Sequence, residues 1–270
     1  MKPLPLHPSF CIIAPTAYLP QYATRSRVHL VLAHLVDSDP VYAEFYRTLS
    51  TQGDYIIMDN GAFELGASYD PHRLISLGAR CGADALVLPD YPFEHCSKTI
   101  DAAKEWTPLF KTAGFRTFFV PQSEVGDIDG WIRAYEWAGG NPDIDMIGMS
   151  ILGIPNALPH IPAAYARVVM SQLLVDRRIM ADKYHHFLGL NAGPALEIPP
   201  LIKMAILGSC DSSGPVWAGI LGHEYSRNTD SYLATSKVKA HVEFDYPMTK
   251  DSATHRRIMH NIDLTLELFK

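Results

Sequence analysis

The feature that most constrains this chain is a recurrence of eight short apolar runs, most of them followed by a polar turn and a longer segment of helical period. The runs are Phe10 to Ala14, Val28 to Leu35, Tyr55 to Met58, Ala85 to Leu88, Thr117 to Val120, Met146 to Met149, His186 to Leu190 and Ala205 to Leu207. Continuous rather than alternating apolarity marks strands buried on both faces of a parallel sheet. Between them, Asp70-Pro71 reads as an N-cap with proline in the first turn, and Gly82 as the stop. Glu94 to Ala113 closes on Gly114, and Asp127 to Ala138 on Gly139-Gly140. Further helices are expected over Pro40 to about Leu49, Pro162 to Lys183, Asp251 to Phe269, and Pro194 to Ile206 with an interruption at Pro199-Pro200. The connection between the first two runs shows no helix of its own.

Eight such units in 270 residues fit one closed α/β barrel of the (β/α)8 type, a single domain over 1–270, with an irregular first unit and a C-terminal helix. An open doubly wound sheet is the alternative. Against it, no G-x-G-x-x-G follows the first run and no Walker A motif occurs. The four cysteines, Cys11, Cys81, Cys96 and Cys210, form no C-x-x-C pair and no zinc-finger spacing, so neither a metal nor a cofactor is expected. Isolated thiols, no apolar leader and no membrane-length apolar stretch lead to the expectation of a cytoplasmic protein (host cytoplasm if phage-encoded) without a membrane partner.

In this fold active sites form at the C-terminal ends of the strands. There the third run ends in Asp59-Asn60-Gly61-Ala62-Phe63, the fourth in Pro89-Asp90-Tyr91, and the fifth in Pro121-Gln122-Ser123. The sixth holds Gly148-Met149-Ser150, and the eighth leads into Cys210-Asp211-Ser212. Each Asp alone reads as a cap or turn residue. Together, three carboxylates and an amide on one mouth are costly unless they have work to do, because like charges oppose one another's ionisation. Two carboxylates facing a glycosidic carbon can run a double displacement, one as nucleophile and one handling the leaving-group proton. The amide, the third carboxylate and a glycine backbone suit the edge of a heterocycle, and Phe63 its face.

These residues resemble, in order, the motifs of the tRNA-guanine transglycosylase superfamily. Asp59-Asn60-Gly61-Ala62-Phe63-Glu64 is similar to its Asp-Ser-Gly-Gly-Phe/Tyr-Gln motif, with departures at Asn60, Ala62 and Glu64. Asp90-Tyr91-Pro92 echoes Asp-Glu-Cys-x-Pro, Val120-Pro121-Gln122-Ser123 resembles Val-Gln-Gly, and Gly148 to Gly153 resembles the glycine-rich loop. His186-Phe187-Leu188-Gly189-Leu190 and Cys210-Asp211-Ser212 resemble the last two motifs. The resemblance implies Asp211 as the nucleophile of a covalent glycosyl intermediate and Asp59 as general acid and base. It places Asn60, Asp90, Gln122, Gly148, Ser150 and Leu188 around the base, with Phe63 stacked on it. The implied reaction exchanges guanine in nucleic acid for a 7-deazaguanine of the preQ0 or preQ1 type.

The tRNA enzymes carry a Cys-x-Cys-x-x-Cys zinc site near the C-terminus, whereas this chain has no cysteine after Cys210. That departure favours the compact DNA-modifying branch over tRNA. The net charge of -6 argues mildly against a nucleic-acid partner, and the basic clusters Arg177-Arg178 with Lys183, and Lys237 with Lys239 and Arg256-Arg257, read first as solvated surface. Trp217 reads as a packing residue or a contact to a nucleic-acid backbone. The paired His185-His186 reads as structural, since neighbours on a strand point to opposite faces. A tRNA substrate, a barrel hydrolase using the same carboxylates on water, and a non-catalytic binding subunit stay open as alternatives. No motif fixes an oligomeric state.

Overall fold

A computed structural model describes residues 2–190, 194–228 and 242–270. The apolar runs form strands β1 (Ser9–Ile12), β2 (Val28–Val31), β3 (Tyr55–Met58), β4 (Ala85–Val87), β5 (Arg116–Phe119), β6 (Met146–Gly148), β7 (Tyr184–Phe187) and β8 (Ser209–Ser212). All pair in parallel, each from β2 to β8 with the next in sequence and β8 with β1. β1 and β2 pack against each other, bringing the sheet round into a nearly closed (β/α)8 TIM-type barrel. The strands are buried along nearly their whole length because helices cover their outer face and other strands their inner one.

The helices follow the punctuation of the sequence. Pro71–Cys81 is capped by Asp70, whose carboxylate accepts the Arg73 N–H, and stops at Gly82 in the left-handed region. Asp127 caps Ile128–Gly140, and Asp251 caps the C-terminal helix Ser252–Glu267. Cys96–Thr112 and Pro40–Thr51 lie where expected.

Five expectations need correction. The second run is a strand only to Val31, and its remainder opens the helix Ala33–Ser38. The first connection is not bare, since it contains the helical turn Leu19–Tyr22 between two 3-10 turns. The helix after β6 spans Ala163–Asp176 and stops short of Lys183. Pro199 and Pro200 lie inside a continuous helix, Pro194–Lys203, at the cost of the backbone bonds their missing N–H groups would make.

The last correction concerns the site. The eighth strand is Ser209–Ser212, not Ala205 to Leu207, so Asp211 lies within a strand rather than in the loop beyond it. Leu207 is buried in the connection, and β8 itself presents Ser209 and Asp211 inward, a polar pattern that a search for apolar runs passes over. Lys237 and Lys239 lie outside the described residues. Among the described residues, no helix is long and apolar enough to cross a membrane.

Candidate active site

The site residues fall in two sectors of the barrel's C-terminal rim, one on β7 and β8 and one on β3 to β5, with β6 between them on one side and β1 and β2 on the other. On β8, Asp211 faces inward and is 5% exposed. Its Oδ1 accepts the backbone N–H of Gly189 at 2.8 Å and lies 3.1 Å from Nε2 of His186 on β7. The other imidazole nitrogen, Nδ1, is 2.7 Å from the Ser209 hydroxyl. With the hydroxyl donating to Nδ1, the proton belongs on Nε2 and points at the carboxylate, the one tautomer that satisfies all three groups. The ring is held edge-on to Phe118, 5.7 Å between centroids.

Gly189 adopts φ +74, and a Cβ there would come within 3.1 Å of Ile151, so only glycine turns this peptide N–H toward Asp211 without strain. Cys11 is the register partner of Asp211 on β1, and Cys210 precedes it in sequence. Burial, followed by the charge of Asp211, holds both thiols well above the ordinary cysteine range. Held protonated in this way, they are poor nucleophiles.

The second sector joins the ends of β3, β4 and β5. Asp90 is buried, and its two oxygens are divided between two amides: Asn60 Nδ2 donates to Oδ1 at 2.7 Å and Gln122 Nε2 to Oδ2 at 2.6 Å. Burial raises the Asp90 carboxyl above the usual aspartate value, and the two amide donors offset part of that shift. Asn60 also donates to Leu88 O and accepts from Ala62 N, so its polar atoms are all engaged within the protein. It supports Asp90 rather than reaching a ligand. Gln122 keeps a buried Oε1 with no hydrogen-bond partner among the described residues, packed toward Gly153. Asp59, half-buried on the same rim, accepts the Gly61 N–H at 3.0 Å.

The remaining expected positions separate. The Ser150 hydroxyl accepts from Leu152 N and Gly153 N and serves as a turn former. A Cβ at Gly148 would lie 2.8 Å from Phe118 and Val120 and 3.1 Å from Leu188, so packing of the inner layer already requires glycine there. Leu188 is half-buried over it. Phe63 is 67% exposed, and the apolar side chains of Leu65, Phe93, Val125 and Leu152 are also partly exposed, all on the connections after β3 to β6, with Phe63 and Leu65 in the short helix Ala62–Leu65. Trp217 is buried edge-on against Tyr246, which removes it from any surface contact.

Reading the sequence missed His186. It had one usable signal: the alternation that places Leu188 inward places His186 inward too, while His185 points outward and pairs with the Tyr135 hydroxyl at 2.8 Å. Burial pushes His185 down to about 4.

A cavity of about 470 Å³ adjoins the second sector, with Asp90, Tyr69, Tyr91 and Trp106 among its walls. A second cavity, about 440 Å³, opens at the opposite end of the barrel beside Asp145 and Lys183. That end serves stability in this fold; of the candidate site residues only Asp90 lines the first cavity, and Asp211, Asp59 and Gln122 line neither. Among the described residues, no group of three or more His, Cys, Asp or Glu side chains is placed to hold a metal. No known family model matches the chain, and no curated protein matches it.

Proposed function

We propose that the chain is a base-exchange enzyme that replaces guanine in DNA by a 7-deazaguanine of the preQ0 or preQ1 type, working in the cytoplasm (the host's if phage-encoded). The observation that carries this reading is the fixed carboxylate of Asp211. One oxygen is bound by Gly189 N–H and His186, and a separate sector of the same rim, Asp90 with Gln122, suits a polar heterocycle. In this reaction an Asp211 oxygen attacks C1′ of the sugar while the C1′–N9 bond breaks. The electron pair leaves on N9, and Asp59 supplies its proton. The incoming base then gives its N9 proton to Asp59 and attacks C1′ from the opposite face, and the Asp211 ester bond breaks to restore the carboxylate. Two inversions return the original configuration.

The target guanine has to leave the helical stack first, at a cost of about a few kcal/mol. The exposed side chains of Phe63, Leu65 and Phe93 offer flat apolar surface for unstacked bases. This reading takes DNA as the substrate, as the resemblance to the compact DNA-modifying branch implies, with tRNA as the alternative that the test below separates.

The test is release of labelled guanine from DNA and from tRNA in parallel, with preQ0 or preQ1 supplied and Asp211→Ala as control. The expected result is release from DNA, dependent on the added base and absent in the variant. Release from tRNA alone would reverse the substrate, abasic sites in place of the new base would make the protein a hydrolase, and unchanged release by Asp211→Ala would remove the mechanism.

A further inference from the structure

Behind the mouth lies a charged side chain that is only 1% exposed: Arg167, on the helix Ala163–Asp176. Its five N–H groups match five acceptors. Nε and Nη2 donate to the two carboxylate oxygens of Glu197, each at 2.6 Å. Nη2 also donates to Gly189 O at 2.6 Å, and Nη1 donates to Met149 O at 3.0 Å and Leu188 O at 2.9 Å. A buried ion pair contributes little net stability, because desolvating both charges consumes most of their attraction. What distinguishes this one is where the remaining donors go, which is to three carbonyls at the ends of β6 and β7.

One of those carbonyls has a further consequence. Leu188 O and Gly189 N belong to a single planar peptide unit. Arg167 grips its oxygen, and its N–H donates to Asp211 Oδ1 at 2.8 Å. A cation on the carbonyl oxygen draws electron density through the conjugated amide and makes its N–H a stronger donor, the mutual polarisation expected of hydrogen bonds in series. Glu197 cancels the net charge, so the cation is tolerated 1% exposed beside the barrel.

We infer that Arg167 is a positioning residue for Asp211, acting through the Leu188–Gly189 peptide: it fixes one carboxylate oxygen so that the other presents to the sugar carbon. The inference rests on the reading of Asp211 as nucleophile. It differs from a purely structural role in one respect, since it requires a link between the guanidinium and the Gly189 amide that exists without substrate.

The experiment compares wild type, Arg167→Met with Glu197→Leu, Arg167→Lys, and Asp211→Ala, all labelled with 15N-glycine. The double variant removes both charges together and so avoids a lone buried carboxylate. The lysine variant keeps the charge for Glu197 but has too few donors to hold Glu197 and three carbonyls as well. The expected result is an upfield move of the Gly189 amide proton in Asp211→Ala and a smaller move the same way in both Arg167 variants. Exchange kcat should fall about tenfold to a hundredfold, with KM for the incoming base unchanged. A Gly189 resonance that stays in place in Arg167→Lys, or an undiminished kcat there, overturns the inference even if the double variant does not fold. Should the wild type exchange no base at all, the functional reading falls, and the resonance still decides the peptide link.

Discussion

The two ends of the barrel handle their inner aspartates in opposite ways, although one glutamate on the C-terminal side, Glu197, is ion-paired with Arg167. At the N-terminal end each aspartate is matched to cations. Asp84 binds the Lys2 ammonium at 2.9 Å and Asp145 the Lys111 ammonium at 2.8 Å. Asp54 stands between Arg27, an ion pair at 2.9 Å without hydrogen-bond alignment, and His29 at 3.0 Å. These aspartates also accept backbone N–H groups, Ile56 for Asp84 and Thr117 for Asp145, so they close the bottom of the barrel. At the C-terminal end the donors that touch Asp90 and Asp211 are amides, a peptide N–H and an imidazole, and the nearby guanidinium of Arg167 is held one peptide away. A carboxylate neutralised by an ammonium has little left for a reaction. One oriented by amides and a ring nitrogen, with no ammonium or guanidinium on it, keeps its charge for an electrophilic carbon. The contrast separates carboxylates that hold the fold from those available for chemistry, although both kinds are buried aspartates.

The contrast breaks most sharply in a crossed pair of substitutions. Asp211→Asn is expected to lower exchange by at least about a thousandfold, as loss of a nucleophile does, and to leave the urea midpoint close to wild type because its side-chain oxygen still accepts from Gly189 and His186. Asp84→Ala is expected to do the reverse, lowering unfolding free energy by about 1.5–3 kcal/mol through loss of a charged hydrogen bond and an orphaned Ile56 N–H, with kcat/KM retained. Comparable activity losses in both variants would erase the distinction between the two ends. A narrower effect is expected from His186→Phe, which keeps the ring edge against Phe118 but removes the donor to Asp211. Exchange should drop about tenfold to a hundredfold in single-turnover measurements, and full activity would reduce His186 to packing.

The same contrast explains what the sequence reveals. The barrel is legible because six of its eight strands contain continuous apolar stretches, and Asp59, Asp90 and Gln122 stand out because they follow such stretches. Asp211 is legible as a member of the candidate site but not as a strand residue, since β8 presents Ser209 and Asp211 to the interior and carries no apolar run. Asn60 and Ser150 lay at the right place with a different task, supporting Asp90 and closing a turn, because position along a strand does not say which backbone group a short polar side chain will satisfy. Arg167 gave no sign at all. Its partner Glu197 is thirty positions away on the next helix, and an arginine in a helix of that composition reads as solvated surface until the packing is known.

The smallest expected effect is at Asp90, and it sharpens the comparison from the stability side. Burial raises its carboxyl above the ordinary aspartate value of 3.8, so below that value both folded and unfolded chains hold the proton and Asp90 is neutral in its effect. As pH rises past 3.8 the unfolded chain releases its proton first, while the native carboxyl still holds its own. Stability therefore declines through that window, and the cost is complete once the native group has ionised. Asp90→Asn removes this cost. Its new NH2 can donate to Gln122 Oε1, now an unpartnered buried acceptor, after a half-turn of that amide, while its oxygen still accepts from Asn60. The variant is expected to melt at most a few degrees above wild type at pH 7, with the gap closing as pH falls toward 4, and to bind the free base more weakly. A gap independent of pH would mean that Asp90 is not strained by burial. A gap of the opposite sign would place Asp90 with Asp84, as a carboxylate whose charge holds the barrel together.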